Sequence, residues 1–357
     1  MRVLFVVPEQ PRTTGNWVTA LRHQQGLVSL GHEVRLIATD GSVACLERQV
    51  TEFAPDLVHL LHAYRAGLPW LGCRQRSVIP SVLSMTGTDL NHGLDSAEQG
   101  PQIRVVLEQV GAIIIQNQLT VESFAAAHPG LAARLYHVAP GVSLGSDPYP
   151  LRQRHALPAS SILFLLPAGI RPVKANLELL QLFDLVAEAA PFCQLLFCGS
   201  ILDQGYGQRF LAALQARPWA HYLGEIPASA MAAVFREVDV VLNHSVSEGL
   251  PNALLEAAAL GRPILARDIP GNRAAFIPDL NGLLYDSSES FVRQALALVR
   301  NSALRQRLVL PLQKLRTSVD EALQLEKVYQ GLAMGLPRDS SSCEIVTRMP
   351  GADNYPA

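Results

Sequence analysis

Two glutamates eight positions apart are the side chains in this sequence most suited to chemistry. Glu248 lies before a short helical pattern that begins at Pro251 and ends before Gly261, and Glu256 lies inside that pattern. Because the helical neighbours of Glu256 are all apolar, we expect this helix to be buried on most sides. A carboxylate there costs roughly several kcal/mol unless it is paired or hydrogen-bonded. Two interpretations follow. Glu256 is either a structural glutamate hydrogen-bonded to the backbone or a carboxylate that binds a polar ligand such as a ribose. In the second interpretation, the loop amides near Gly249 hold an anion of the same ligand.

Two cations, Arg171 and Lys174, fall between a predicted buried strand and the N-terminal end of the next helix. Positive charge at that end of a helix opposes the helix dipole. The placement is easier to understand if a phosphate lies between the cations and the helix amides. Ligands of open α/β sheets bind beyond the carboxyl ends of the strands, where this pair lies. The alternative is that Arg171 and Lys174 are ordinary solvated side chains without a ligand.

The first third of the chain carries further candidates at strand ends. His62 ends one predicted strand, Asp89 occupies the corresponding end of a later one, and Gly15 and Asn16 follow the first strand. Each has a plainer interpretation: a packing histidine for His62, an Asx turn for Asp89 and a helix cap for Asn16. His59 and His62 are three apart on a strand and face opposite sides, which argues against shared metal ligation.

Several catalytic motifs are missing from the sequence. It contains no G-x-G-x-x-G or P-loop pattern, no Asp-x-Asp pair and no Ser or Cys nucleophile elbow between a predicted strand and a predicted helix. Metal-dependent transfer and acyl-enzyme chemistry are therefore not expected.

The elements that must position these residues alternate along the chain. Short apolar runs and longer helical patterns follow one another, which predicts parallel strands joined by crossover helices. The alternation breaks at Pro140-Gly141 and a polar stretch around 145–155, and then restarts. We therefore predict an α/β chain with two doubly wound domains, residues 1–150 and 151–318, followed by a helix within about 319–335. The tail, 336–357, has no apolar period and is expected to be disordered.

Composition limits the classes of partner and compartment. The 357 residues suit about two domains of roughly 150 residues each, and the net charge of −2 gives no general attraction for nucleic acid or anionic lipid. The five cysteines show no zinc spacing, which favours a reduced, cytoplasmic compartment. No run reaches the roughly 18 apolar residues of a membrane span. We expect a soluble chain, or one peripheral to a membrane, without an integral membrane segment.

Taken together, these segments resemble the GT-B glycosyltransferases of retaining family 4, the glycosyltransferase group 1 type, over about residues 1 to 335. The most specific match is Glu248-Gly249-Leu250-Pro251-Asn252 through Glu256, two glutamates separated by seven residues, followed by Gly261-Arg262-Pro263-Ile264 and Asn281-Gly282-Leu283-Leu284. The resemblance implies two Rossmann-like domains facing across a cleft, an acceptor side in the N-terminal domain and a nucleotide-sugar site in the C-terminal domain. It also implies that the C-terminal helix crosses back to the first domain.

The resemblance also implies roles for individual residues. Glu248 would contact the transferred sugar, Glu256 the nucleotide ribose, and His62 the donor sugar. Arg171 and Lys174 resemble the diphosphate-binding pair, although they are three apart where the usual spacing is wider. The other donor-binding residues would be Gly15, where the family usually has two glycines, Asn16, Gly169, Gly249, Leu250, Pro251 and Asn252. On the acceptor side the candidates are Thr88 and Asp89.

The expected function is metal-independent, retaining transfer of a sugar from a UDP- or GDP-sugar to an acceptor that the sequence does not identify. No cofactor is expected, and the oligomeric state is open. Within the family, the resemblance favours the glycosyltransferase 1 domain-containing protein 1 type. It has some similarity to the selenosugar synthase type, which transfers to selenophosphate. The remaining alternatives are a GT-B epimerase of nucleotide sugars and a sugar-nucleotide-binding protein without turnover.

Overall fold

The computed structural model describes residues 1–12, 14–309 and 316–333. These residues form two compact units. The first contains residues 1–9, 19–141 and the described residues from 316 onward, and the second contains the described residues of 10–18 and of 142–309. The division after Gly141 coincides with the Pro140-Gly141 break, so residues 142–150, predicted in the first domain, lie in the second unit. The predicted tail, 336–357, lies outside the described residues.

The first unit is built on a six-stranded parallel sheet with the strand order β2-β1-β3-β4-β5-β6. Its strands are β1 (Arg2–Pro8), β2 (Glu33–Thr39), β3 (Leu57–Leu61), β4 (Ser81–Ser84), β5 (Ala112–Ile115) and β6 (Leu135–His137). Its first helices are α1 (Gly15–Ser29), α2 (Val43–Phe53), α3 (Leu68–Gly72), α4 (Gly100–Gln109) and α5 (Gln118–Ala127). Every residue of β3, β4 and β5 is buried, as expected for parallel strands covered on both faces.

The second unit repeats this plan with the order β12-β11-β10-β7-β8-β9. Its strands are β7 (Ile162–Pro167), β8 (Cys193–Cys198), β9 (Ala220–Tyr222), β10 (Val240–Asn243), β11 (Ile264–Arg267) and β12 (Gly282–Tyr285). Its helices are α6 (Leu151–Arg154), α7 (Asn176–Ala189), α8 (Gln204–Gln215), α9 (Ala228–Glu237), α10 (Asn252–Ala259), α11 (Pro270–Arg273), α12 (Ser288–Arg300) and α13 (Ser302–Arg307). The strand order reverses between β7 and β10. In open α/β sheets, ligands bind at such a switch point.

The last described helix, α14 (Ser318–Ala333), belongs to the first unit. It carries Glu321, which is fully buried. The Glu321 carboxylate lies 2.6 Å from Arg22 Nε and 2.8 Å from His23 Nε2, and it accepts hydrogen bonds from Gln116 Nε2 at 2.9 Å and Gly141 N at 3.0 Å. Burial raises the pKa of Glu321, but the charges of His23 and Arg22 outweigh burial and lower the pKa to about 2. This cluster ties α14 to α1 and to the end of β5.

No helix among the described residues is long and apolar enough to cross a membrane.

We expect Glu321→Gln to lower the free energy of unfolding by about 3–5 kcal/mol at pH 7, because it leaves the buried cation Arg22 without its carboxylate. The ionic stabilisation is complete above the unfolded pKa, near the ordinary value of 4.5, and is lost as the pH falls through the folded value of about 2. The difference in the free energy of unfolding between wild type and Glu321→Gln therefore becomes smaller in acid. Calorimetric unfolding between pH 7 and pH 3 measures it.

The matched control is Glu326→Gln on the same helix, whose carboxylate pairs with His32 at 3.0 Å and is about a quarter exposed. We expect this substitution to cost no more than about 1 kcal/mol. The role assigned to the buried cluster would be contradicted if both variants lost the same free energy of unfolding. It would also be contradicted if the loss in Glu321→Gln did not depend on pH.

Candidate functional site

Two candidate residues of opposite charge meet at the switch point of the second sheet. Lys174 follows β7 and Glu248 follows β10, and these two strands pair directly in the sheet. Lys174 Nζ contacts Glu248 Oε1, and the side chains are only 16% and 11% exposed. The loop after β7 and the loop after β10 are therefore joined by an ion pair that water reaches poorly.

Two further side chains hold Glu248. Asn243 Nδ2 donates to Glu248 Oε1 at 3.2 Å, and Ser245 Oγ donates to the same oxygen at 2.7 Å. Burial alone raises the pKa of the Glu248 carboxyl, but the charge of Lys174 and these hydrogen bonds outweigh burial, so the pKa lies below its ordinary value. Glu248 is therefore ionised at neutral pH. A charged carboxylate in a fixed position can accept a hydrogen bond from a ligand hydroxyl.

A second layer of residues fixes this arrangement. Asn272, fully buried in α11, donates through Nδ2 to Asn243 Oδ1 at 3.3 Å and to the Arg267 carbonyl at 2.8 Å. Gly271 lies directly against Glu248, since a Cβ at position 271 would stand 2.6 Å from the Glu248 carbonyl oxygen. Only glycine allows α11 to approach the β10–α10 loop this closely. The position of Glu248 thus depends on α11 as well as on β10.

The loop from β7 to α7 carries the predicted cations. A short 3₁₀ turn covers Pro172–Lys174, and Ala175 adopts a left-handed conformation, with φ 49°, immediately before α7. Asn176, the first residue of α7, accepts a hydrogen bond from Arg171 N at 3.2 Å through Oδ1. These contacts fix the loop that presents Arg171 and Lys174 at the carboxyl end of β7. Arg171 and Lys174 are both partly buried.

Helix α10 differs from the prediction in its start. Pro251 precedes the helix, which begins at Asn252, and Pro251 is buried. Glu256 is only partly buried, because Leu254, Ala257 and Ala258 form the buried face and Glu256 lies on another. Every residue of α10 is nevertheless buried or partly buried, which agrees with the expectation of a helix buried on most sides. All-apolar neighbours in sequence do not reveal which face of a short helix the core covers.

The remaining predicted donor residues lie in the second unit as well. Gly169 follows β7 and packs tightly, since a Cβ there would lie 2.6 Å from Leu202 Cδ1. Gly249 and Leu250 are partly buried in the loop between Glu248 and α10. Asn16 is partly buried near the start of α1, while Asn252 Nδ2 donates to the carbonyl of the exposed Gly15 at 3.4 Å.

His62 in the first unit has an unusual backbone. It follows β3 with φ 88° and ψ 114°, a region that residues with a Cβ rarely occupy, and a π-helical turn over Ala63–Gly67 comes next. The side chain is 3% exposed, and its Nδ1 lies 2.8 Å from Asp89 Oδ1. Backbone strain of this kind persists only where the surrounding structure enforces it, and it concentrates at functional sites.

Asp89 is fully buried rather than open to an acceptor. Its Oδ2 accepts hydrogen bonds from Ala63 N, Thr86 N and Thr86 Oγ1, each at 3.0 Å. Burial raises the pKa of Asp89, but His62 and these donors outweigh burial and keep the pKa below its ordinary value. Asp89 thus joins the ends of β3 and β4 and supports His62, and the acceptor contact predicted for it does not fit its burial. The neighbouring Thr88 is exposed.

His59 is fully buried and has a structural environment. Its Nδ1 lies 2.6 Å from Tyr329 Oη, and its Nε2 lies 2.8 Å from Ser84 Oγ. Burial and the neighbouring His23 hold the pKa of His59 well below its ordinary value, so its imidazole is neutral. His59 therefore has a structural role in the interior, whereas His62 lies at the end of the strand.

Sequence reasoning assigned no role to Asn243, Ser245, Gly271 or Asn272. One signal was available: Asn243-His244-Ser245 is a polar triplet at the carboxyl end of a buried apolar strand, the same position that singled out His62. The local sequence does not reveal the role of Gly271 and Asn272, because it comes from the packing of α11 on a loop more than twenty residues earlier. Within the described ranges, no group of three or more His, Cys, Asp or Glu side chains is arranged to hold a metal ion.

Comparison with known proteins gives a family match and a similar curated protein. Residues 150–310 match the family Glycosyl transferases group 1. Over 349 residues the chain is 29% identical to Glycosyltransferase 1 domain-containing protein 1 of Xenopus tropicalis, covering 94% of this chain and 98% of that protein.

Two solved structures share the fold. HepE of Anabaena, in complex with UDP and glucose, superposes with a TM-score of 0.74 at 16% identity, covering 92% of this chain and 99% of that one. The sucrose-phosphate synthase of Thermosynechococcus elongatus gives a TM-score of 0.78 at 16% identity, covering 94% and 100%. Residues 150–310 therefore form a glycosyltransferase group 1 domain, the chain has the GT-B fold of these solved structures, and together the similarities indicate a glycosyltransferase.

Proposed function

We propose that this glycosyltransferase moves a sugar from a nucleoside diphosphate sugar, with UDP or GDP as the nucleotide, to an acceptor, retains the anomeric configuration and needs no metal ion. The observation that carries the proposal is the Lys174–Glu248 pair at the switch point between β7 and β10. It offers a cation for a diphosphate and a fixed carboxylate for a sugar at one place in the sheet. UDP in the HepE structure supports a nucleotide donor for this chain.

Lys174 and Arg171 are assigned to the diphosphate. An ammonium group has three N–H donors, and Lys174 directs one of them to Glu248, which leaves two for phosphate oxygens. The Arg171 guanidinium offers a planar fork that matches a phosphate. As the bond between sugar and phosphate lengthens, negative charge grows on the leaving group, and fixed cations stabilise it most at that point.

The two glutamates are assigned to the two ends of the donor. All three contacts of Glu248 that the structure records involve Oε1, so Oε2 is the oxygen we assign to a hydroxyl of the transferred sugar. Glu256 lies eight residues further along the chain, at a partly exposed position of α10, where a carboxylate can accept hydrogen bonds from the two ribose hydroxyls. The leaving phosphate then takes the proton of the acceptor on the face from which it departs, and His62 orients the sugar.

Glu256→Ala is expected to weaken binding of the free nucleotide about tenfold, because hydrogen bonds from the ribose to a charged group are lost. Glu248→Gln is expected to leave nucleotide affinity nearly unchanged and to weaken the sugar nucleotide and lower turnover. Isothermal titration with UDP, GDP and their glucose or mannose conjugates separates the two effects. Glu188→Gln, an exposed glutamate at the end of α7, is the control. Equal affinities in all three variants would remove both glutamates from the donor site.

Replacing Arg171 and Lys174 together by Ala is expected to lower turnover about 10²-fold or more, since both cations act on the charge that develops at the leaving diphosphate. A chelator should leave the rate of the wild-type enzyme unchanged, because these residues supply the positive field that a metal ion supplies elsewhere. Initial rates with and without EDTA measure this. Loss of transfer on chelation, restored by a divalent cation, would overturn the metal-free proposal.

The stereochemistry of the product tests the whole proposal. With an α-linked donor, proton NMR of the isolated product is expected to show an α linkage, because the acceptor attacks the face from which the phosphate leaves. A β-linked product would rule out the same-face mechanism. Donor incubated alone is the parallel sample: steady conversion to an epimer would identify an epimerase, and binding without transfer to any acceptor would identify a protein that only binds.

A further inference from the structure

Arg267 is a partly buried cation to which the sequence assigned no role. It is the last residue of β11, the strand that pairs with β10 on the side opposite to β7. Its Nη2 lies 3.2 Å from His244 Nε2. His244 is 3% exposed and stands between Asn243 and Ser245, the two residues that hold Glu248. Arg267 therefore belongs to the same edge of the sheet as the donor site.

The groups that hold Arg267 in place are neutral. Burial and then the charge of Arg267 lower the pKa of His244 to about 3, so the imidazole is uncharged at neutral pH. Because a guanidinium only donates, Nε2 of His244 is the acceptor and Nδ1 carries the proton, which it donates to Tyr285 Oη. Tyr285 in turn donates to the Asn243 carbonyl at 3.4 Å. The guanidinium is fixed without having its charge neutralised.

The nearby carboxylates are already engaged. Asp268, the next residue, is held by both arms of Arg273, with Nη2 at 2.6 Å from Oδ2. Asp286, which follows Tyr285, accepts a hydrogen bond from Ser290 Oγ at 2.9 Å. In the described part of the chain, no carboxylate forms an ion pair with Arg267. A fixed, partly buried guanidinium whose partners are neutral is suited to bind an anion from a ligand.

The sheet topology separates this anion from the donor diphosphate. The strands lie in the order β11-β10-β7, so Arg267 is on one side of the Glu248 loop and Arg171 and Lys174 are on the other. Adjacent strands are about 4.8 Å apart, which puts the ends of β7 and β11 about 10 Å from each other. The loop that carries Glu248 therefore lies between the strand end of Arg267 and the loop proposed to bind the diphosphate.

We propose that Arg267 binds a phosphate group of the acceptor, so that the acceptor is a phosphorylated compound rather than a neutral alcohol. The inference rests on the proposed function, because it takes the β7 loop as the diphosphate site and Glu248 as the sugar contact. The guanidinium fork gives two parallel hydrogen bonds to a phosphate and so orients the acceptor as well as holding it. His244 and Tyr285 act as positioning residues for Arg267.

The test is a titration of the full chain with inorganic phosphate in the presence of a saturating nucleotide, which occupies the diphosphate site. We expect wild-type protein to bind phosphate under this condition, and Arg267→Gln to bind it about tenfold more weakly or worse. Arg267→Lys, which keeps the charge and loses the fork, should fall between the two. Arg300→Gln, an exposed arginine at the end of α12, is the matched control and should bind phosphate as the wild type does. Unchanged nucleotide affinity in each variant verifies that it is folded.

Three results would overturn the inference. Phosphate that no longer binds wild-type protein once the nucleotide is present would place it in the diphosphate site. Equal phosphate affinity for wild type and Arg267→Gln would remove Arg267 from any anion site. An Arg267→Gln variant that loses affinity for UDP-glucuronate, but not for UDP-glucose or phosphate, would assign Arg267 to a carboxylate on the donor sugar. Failure of the proposed function is a separate result, namely that no nucleotide or sugar nucleotide binds the wild-type chain.

Discussion

The ion pair between Lys174 and Glu248 is the contact on which the second unit's site depends. β7 and β10 are neighbours in the sheet although they are more than seventy residues apart in the chain, and the loops that leave them carry opposite charges. A carboxylate as buried as Glu248 is stable only with compensation, which Lys174, Asn243 and Ser245 provide. Because all three contacts converge on one oxygen, the compensation also fixes the direction of the other. The energetic requirement of burial thus produces a preorganised hydrogen-bond acceptor.

The first unit also contains buried carboxylates that need compensation, but other groups provide it. Asp89 is compensated mainly by backbone and hydroxyl donors from the ends of β3 and β4, and Glu321 by Arg22, His23, Gln116 and a backbone amide. In each case the donors come from several elements that the sequence keeps apart. A buried carboxylate therefore holds these elements together, since moving any one of them leaves the charge uncompensated. At Asp89 the same contacts surround His62 and sustain its strained backbone.

The sequence predicted those features that depend on local pattern. Continuous apolar runs indicated buried parallel strands, and strand ends pointed to His62, Arg171 and Lys174. The short strands β6 and β12 were not predicted. The burial of Asp89 and the part-exposure of Glu256 depend on which elements cover them. The roles of Asn243, Asn272 and Arg267 depend on strand order, which no window of sequence contains.

Strand order also determines how charge is distributed along the edge of the second sheet. Moving from β7 through β10 to β11, the strand ends and the loops after them carry Lys174, Glu248 and Arg267, which are positive, negative and positive in turn. The first two charges compensate each other, whereas the third rests on neutral groups. Arg267 therefore keeps its positive charge at the end of β11, and an anion from a ligand would balance it. A sugar held at Glu248 would then lie between two sites of positive charge, one suited to the group that leaves and one suited to the molecule that arrives.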